Sequence, residues 1–444
     1  MGLLDATLPE GRRWGRVADY FEVTRKPRGL KPADHETVPF VPMEAIPQGG
    51  HYEPRYDAKL GAQITSGTYF ERGDLLIAKI TPSFENGKQA WTKGSPAPFG
   101  YATTEVVPLR PTAPNHDTRF LFFYLLHPEI RSYVAERMEG TTGRQRVPEQ
   151  VLLDVPYPVL PSEDQHVIAD SLERIIHQIE LERRSAQKAE ELKRAAMREL
   201  FTRGLRGEPQ KETEFGPVPD DWDIVPLDQV AFVQTGVAKG RKLGVGTKTI
   251  DVPYLRVANV QDGHLDLSEM KTIRIRSTEL DRYLLKDGDV VLTEGGDFDK
   301  LGRGFIWTGE VQPCVHQNHV FSVRVDRERL MPAFLAYLVQ SAYGKAYFLK
   351  VAHKTTNLAC INTTKLKALP VLLPALDEQR EIVAILDAID RKIALHREKR
   401  RVLEELFKAL LHKLMTGEIR VADLDLSALG MEDTASPIEA GAAK

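Results

Sequence analysis

The stretch LPSEDQHVIADSLERI (160–175) returns as LPALDEQREIVAILDAI (373–389), with one residue inserted. Each copy sets a proline and acidic residues ahead of apolar residues spaced by three and four, the pattern of an amphipathic helix opening at its amino end. Glu163, Asp164, Asp377, Glu378 and Glu381 suit the positive end of a helix dipole. Ser162 with Gln165 predicts a capping box. Continued at the same spacing, the first copy gives the stripe Ile168, Leu172, Ile175, Ile179. The second gives Ile382, Leu386, Ile389, Ile393 and then Leu403, Phe407, Leu410. A polar break (Glu182, Ala186; His396, Arg400) interrupts each seam near its middle. A seam held over about five heptads predicts helices over 163–203 and 377–416, stopped by Gly204 and Gly417. Each would be roughly 60 Å long at 1.5 Å per residue, too long to lie on one domain. The two seams are therefore expected to pack on each other as an antiparallel coiled coil about a pseudo-two-fold axis. In that pairing the two breaks meet, where either Glu182 pairs with Arg400 or His396 or a solvated gap remains.

Outward from these stretches the whole chain repeats at an offset near 214. VPFVP (38–42) falls on VPYLR (252–256), and FERGDLLIAKI (70–80) on LKDGDVVLTEG (285–295). VVPLR (106–110) falls on VFSVR (320–324), and FFYLL (122–126) on LAYLV (335–339). All four tryptophans pair in order, Trp14 with Trp222 and Trp91 with Trp307. Two long repeats are not a solenoid; they read as a globular domain plus a helix, duplicated. The expected plan is domain one over 1–160, a spacer helix over 161–207, domain two over 208–373, a second spacer helix over 374–420 and an acidic tail over 421–444. The class is α+β. Apolar GDLLIAKI and GDVVLTEG predict buried strands, HQNHVFSVRV (316–325) alternates as a strand should, and 117–137 and 330–350 have helical spacing.

The composition narrows the function. Of 444 residues 42% are hydrophobic, and no apolar run approaches the roughly 18 residues that span a bilayer. The opening MGLLDATLPEGRR carries no signal-peptide core, and two cysteines, Cys314 and Cys360, fit a reducing compartment. A cytoplasmic protein is expected. The net charge of −3 lies wholly in the tail, where one basic residue faces five acidic ones. Residues 1–160 balance 19 basic against 19 acidic side chains and 208–373 balance 21 against 21, so any polyanion must be met by local clusters. There is no GxxxxGK(S/T) loop and no glycine-rich turn after a strand for a dinucleotide or methyl donor. No catalytic constellation is present. Cys314, His316 and His319 have metal-like spacing, but on a strand His319 faces away from the other two, and no metal site is expected.

What remains is polar and basic loop chemistry at matched places in both copies. In copy one these are Arg25, Lys26 and Arg28; Thr81, Ser83, Asn86 and Lys88; and Thr142, Arg144, Gln145 and Arg146. In copy two they are Lys239, Arg241 and Lys242; Lys300 and Arg303; and Lys354, Thr355, Thr356 and Asn357. Arg, Asn, Gln and Lys are the side chains that read base edges, and Lys and Arg also hold phosphates. Loops at equivalent places but of different sequence suit two domains that read two different double-stranded DNA targets. The residues alone also admit a coiled-coil scaffold without a DNA role, or a nuclease acting alone.

The tandem duplication, the GD strands and above all DEQREIVAILDAID (377–390) resemble the specificity subunit of type I restriction-modification systems; EDQHVIADSLERI (163–175) is the looser copy. The resemblance covers about residues 8–420. It implies two target-recognition domains, each reading half of a bipartite asymmetric site, and an antiparallel helical spacer on which two methyltransferase subunits dock. It further implies that this chain binds no cofactor. S-adenosylmethionine would come with the methyltransferase, and ATP and magnesium with a restriction and translocase subunit where one joins.

Overall fold

The computed structural model describes residues 3–4, 13–141, 143–240, 244, 246–296, 301–354, 359–420 and 423, with Lys354 described in its backbone only. The chain forms two compact units, one of Met1–Arg184 with Arg397–Lys444 and the other of Ser185–His396. Two long helices, a central one over Ser162–Arg203 and a C-terminal one over Leu376–Thr416, are divided between them. Gly204 and Gly417 end these helices at φ +62° and +76°, the left-handed backbone that glycine adopts without a Cβ clash.

In the first unit a four-stranded antiparallel sheet runs Phe21–Val23, Val106–Pro111, Leu75–Ala78, Gln89–Trp91. Leu75–Ala78 is buried on both faces. Leu75 and Ile77 join the core beneath the short helices Thr118–Tyr124 and Pro128–Ala135, and Leu76 joins a second core with Val41, Phe70 and Ala90. A second sheet contains the parallel pair Phe40↔Tyr101 and Val41↔Ala102. Strand Arg13–Arg16 closes the domain against Pro156–Val159, immediately before the central helix.

The second unit repeats this plan. Its sheet runs Ala231–Thr235, Val320–Val325, Val290–Thr293, Gly304–Ile306. Val290 and Leu292 face the core under Pro332–Gln340 and Ala342–Val351, while Val291 faces the opposite one with Trp307. The parallel pair recurs as Tyr254↔Val315 and Leu255↔His316, and the closing pair as Asp223–Pro226 with Pro370–Leu373. The duplication read from the sequence is a duplication of topology.

Within each unit the two long helices pack antiparallel. In the first, Ile168, Leu172 and Ile175 share a core with Leu410, Leu411 and Leu414, and Ile179, Leu403 and Phe407 lie half-buried at its edge. In the second, Met197, Leu200 and Phe201 share one with Ile382, Val383 and Leu386, and Lys193 Nζ donates to Asp390 Oδ2 at 2.8 Å. Ile393 is buried and Ile389 half-buried. At the polar break, Arg400 stands 3.4 Å from Glu404 of its own helix.

One local expectation is corrected. Gln165 does not cap its own helix with Ser162. It is buried, accepts from Asp117 N at 3.2 Å and donates to Leu160 O at 2.9 Å. Gln379 repeats this, accepting from Met331 N at 2.8 Å and donating to Arg329 O and Pro374 O, both at 2.9 Å. The shared glutamine ties the globular domain to the start of its helix, because a buried amide must satisfy both its oxygen and its NH2.

Candidate nucleic-acid interface

The two GD turns organise the loops around them. Gly73 and Gly288 take φ of +98° and +85°, and the aspartate that follows each is buried. Asp74 accepts from Glu71 N at 2.7 Å, and Asp289 from Lys286 N at 2.9 Å. The copies then diverge. Arg324 grips Asp289 with two hydrogen bonds of 2.7 and 2.6 Å, and Ser322 adds a third at 3.1 Å. The equivalent Arg110 turns instead to Glu22 and Glu71. Burial then dominates at Asp74 and pushes its carboxyl up to about 6.

Downstream of each buried strand, the same two segments come together in both domains. In domain one, Thr81 N donates to Gln145 O at 3.1 Å and Val147 N to Lys79 O at 2.7 Å. This sets the 81–88 loop beside the hairpin of Glu139–Thr141 with Arg144–Arg146. In domain two, Gly295–Gly296 pairs with Ala359–Cys360, which pairs in turn with His353–Lys354. Two clusters far apart in sequence thus form one surface feature on each domain.

The individual side chains differ in availability. Arg144 lies exposed beside the hairpin turn, and Gln145 is half-buried. Arg146 is exposed but bound by Glu105 through bonds of 3.0 and 2.8 Å. Arg25 is exposed and paired with Glu149, while Lys26 and Arg28 stand exposed in the loop after Phe21–Val23. Asn86 is exposed, Thr81 is half-buried, and Ser83 is buried. Lys88 Nζ donates to Met43 O at 2.9 Å, a structural contact. In domain two Lys239 is exposed and Arg303 donates to Gln261 Oε1 at 3.1 Å. Thr142, Arg241, Lys242, Lys300, Thr355, Thr356, Asn357 and the Lys354 side chain lie outside the described residues.

The carboxylate partners of Arg25 and Arg146 lie more than a hundred and about forty residues away, so no local sequence signal marks them. The Cys314, His316 and His319 spacing does not assemble. Cys314 is buried, with its thiol pushed up to about 12 by that burial, and His316 is buried with Nδ1 2.6 Å from Val320 O. His319, beyond the short strand, is exposed and paired with Glu294.

Comparison with known proteins decides the family. The description "Type I restriction modification DNA specificity domain" matches residues 12–191 and 219–405, one copy in each repeat. The chain belongs to the type I restriction-modification DNA specificity family. It is similar to the MjaVIII specificity subunit of Methanocaldococcus jannaschii, 27% identical over 334 residues, which are 73% of this chain and 76% of that one. A putative MjaX specificity subunit of the same organism is 28% identical over 46% of this chain and 48% of its own length. The EcoEI specificity subunit of Escherichia coli is 30% identical over 38% of this chain and 28% of its own. The matched stretches thus span from about a quarter to three quarters of these relatives.

The fold is shared with solved chains. One, from a study of complex assembly and conformational transition of a type I R-M system, matches at TM-score 0.56 and 21% identity over 93% of this chain and 100% of its own. The S subunit from M. genitalium matches at 0.53 and 13% over 92% and 97%. As a specificity subunit the chain is a component for recognising DNA sequence, not a catalytic one. Among the described residues no helix is long and apolar enough to cross a membrane.

Proposed function

We propose that each domain of this specificity subunit reads one half of a bipartite, asymmetric DNA site through its paired loop and hairpin. The observation that carries the reading is the repeated juxtaposition of the 81–88 loop with the strand pair Glu139–Thr141 and Arg144–Arg146, and of Gly295–Gly296 with the strands Ala359–Cys360 and His353–Lys354. The scaffold is common and the presented side chains differ, so the half-sites should differ. The long helices would set the gap between half-sites and dock two methyltransferase subunits, which bring S-adenosylmethionine. A restriction and translocase subunit would bring ATP and magnesium where the system cleaves. The balanced charge of both domains supports a subunit that shares its DNA affinity with such partners.

Methylome sequencing of cytoplasmic DNA from cells expressing this chain with its methyltransferase tests the reading. One asymmetric bipartite motif with a constant gap is expected. A palindromic or single-block motif would overturn the two-reader assignment. A scaffold without a DNA role would leave the methylation pattern unchanged when the two domains are exchanged for those of another specificity subunit.

A further inference from the structure

Apart from any DNA contact, the first unit gathers three metal-ligating side chains from distant parts of the chain. His127 precedes the helix Pro128–Ala135, Glu129 lies in that helix's first turn, and His412 sits near the end of the C-terminal helix. Their ligating atoms all lie within 4.8 Å of one another. His127 is buried, and its Nε2 faces His412 Nδ1 at 3.1 Å. Two nitrogens held about 2.0–2.1 Å from a zinc ion at an angle of about 100° stand roughly 3.1 Å apart. The observed separation, which is that of a ring N–H donating to the other ring's nitrogen, is also compatible with a bound pair.

We propose that His127 Nε2, His412 Nδ1 and a Glu129 carboxylate oxygen form a site for a divalent transition metal, zinc above all, pinning domain one to the C-terminal helix.

The surrounding contacts suit this role. With Nδ1 bound to metal, His412 carries its proton on Nε2, which points at Glu418 Oε1 3.7 Å away, the carboxylate backing usual for a ligating histidine. Glu129 Oε2 accepts from Leu3 N at 2.6 Å, which leaves the other oxygen for the ion. His127 binding through Nε2 moves its remaining proton to Nδ1. That displaces the contact from Glu129 N, long at 3.3 Å, and the hydrogen bond between His127 Nε2 and His412 Nδ1 that the metal-free site holds. A pocket of about 610 Å³ floored by Ile176, Phe407 and Leu411 adjoins the three ligands and leaves room for a water to complete the shell. Two histidines and a carboxylate with an open position suit zinc, cobalt or nickel rather than magnesium or calcium.

The test is titration of the untagged, chelator-treated full-length chain with zinc, followed by calorimetry, and with cobalt, followed by visible absorption. One ion per chain is expected, with cobalt bands of a nitrogen and oxygen ligand set and a raised melting temperature. His412→Ala should weaken binding at least tenfold and abolish the bands, whereas His319→Ala should change neither. Glu129→Gln, which keeps an acceptor for Leu3 N, should also weaken binding, and it decides the matter if His412→Ala disturbs the far-ultraviolet dichroism. Failure of the wild-type chain to bind, or equal binding by wild type and Glu129→Gln, overturns the proposal.

Discussion

Arg144 and Arg146 sit two residues apart, and among the described residues Arg146 is bound by Glu105 while Arg144 lies exposed. Arg144→Ala should therefore weaken DNA binding by the assembled methyltransferase by about 1–3 kcal/mol if it reads a base. The loss should fall on sites altered in one half-site only, measured by gel shift with each half-site varied in turn; equal loss in both would contradict separate readers. At Asp74 the consequence is in stability. Its folded pKa of about 6 stands above the ordinary 3.8, so the folded state holds the proton more tightly than the unfolded chain. Its contribution is full below pH 3.8 and is lost as pH rises through 6, a fall of up to about 3 kcal/mol. Urea unfolding of wild type against Asp74→Asn over pH 4–7 should show that slope in the wild type alone. Asp289 is gripped by Arg324 instead. Its replacement by alanine removes the acceptor of Lys286 N, Ser322 and Arg324 and should cost about 1–3 kcal/mol in the unfolding of the second unit.

At the level of elements, the long helices were legible because a heptad seam is a local, periodic signal, and the glycine stops are local as well. The seam's residues lie in or against the cores of the two units, apart from Ile389, which is half-buried, and Ile393, which is buried outside both cores. The glutamine within each helix opening was legible as a helix signal but not as a tether. Its partners, Asp117 N and Met331 N, lie 48 residues upstream in each copy. Gln379→Ala should leave Met331 N–H buried without an acceptor and cost about 1–3 kcal/mol. Chemical unfolding followed by Trp222 and Trp307 fluorescence checks this, and Gln165→Ala should have the matching effect on the first unit. An unchanged midpoint for both would mean the tether is dispensable.

On the scale of the whole molecule, duplication explains both the architecture and the function assigned to it. One scaffold is used twice, with the same order in its main sheet and the same parallel pair, and the loops it displays carry different side chains. If the helices set the gap between half-sites, a heptad added to both lengthens each by about 10 Å, roughly three base pairs. Methylome sequencing of that variant should show a longer gap between unchanged half-sites. An unchanged gap would remove the ruler role while leaving the readers intact.

Periodicity, duplication and charge balance are written along the chain, so the amino-acid sequence by itself determined the two-domain plan, the long helices and the family resemblance. Tertiary structure decided which polar side chains are available. Arg25, Arg146 and Lys88 look alike in sequence to Arg144, yet each is engaged by a group that only folding brings near. It likewise dispersed the Cys314, His316 and His319 spacing and assembled His127, Glu129 and His412, with the histidines 285 residues apart. Ligand sets and ion pairs depend on distances of a few ångströms between remote segments, and linear spacing carries no record of those.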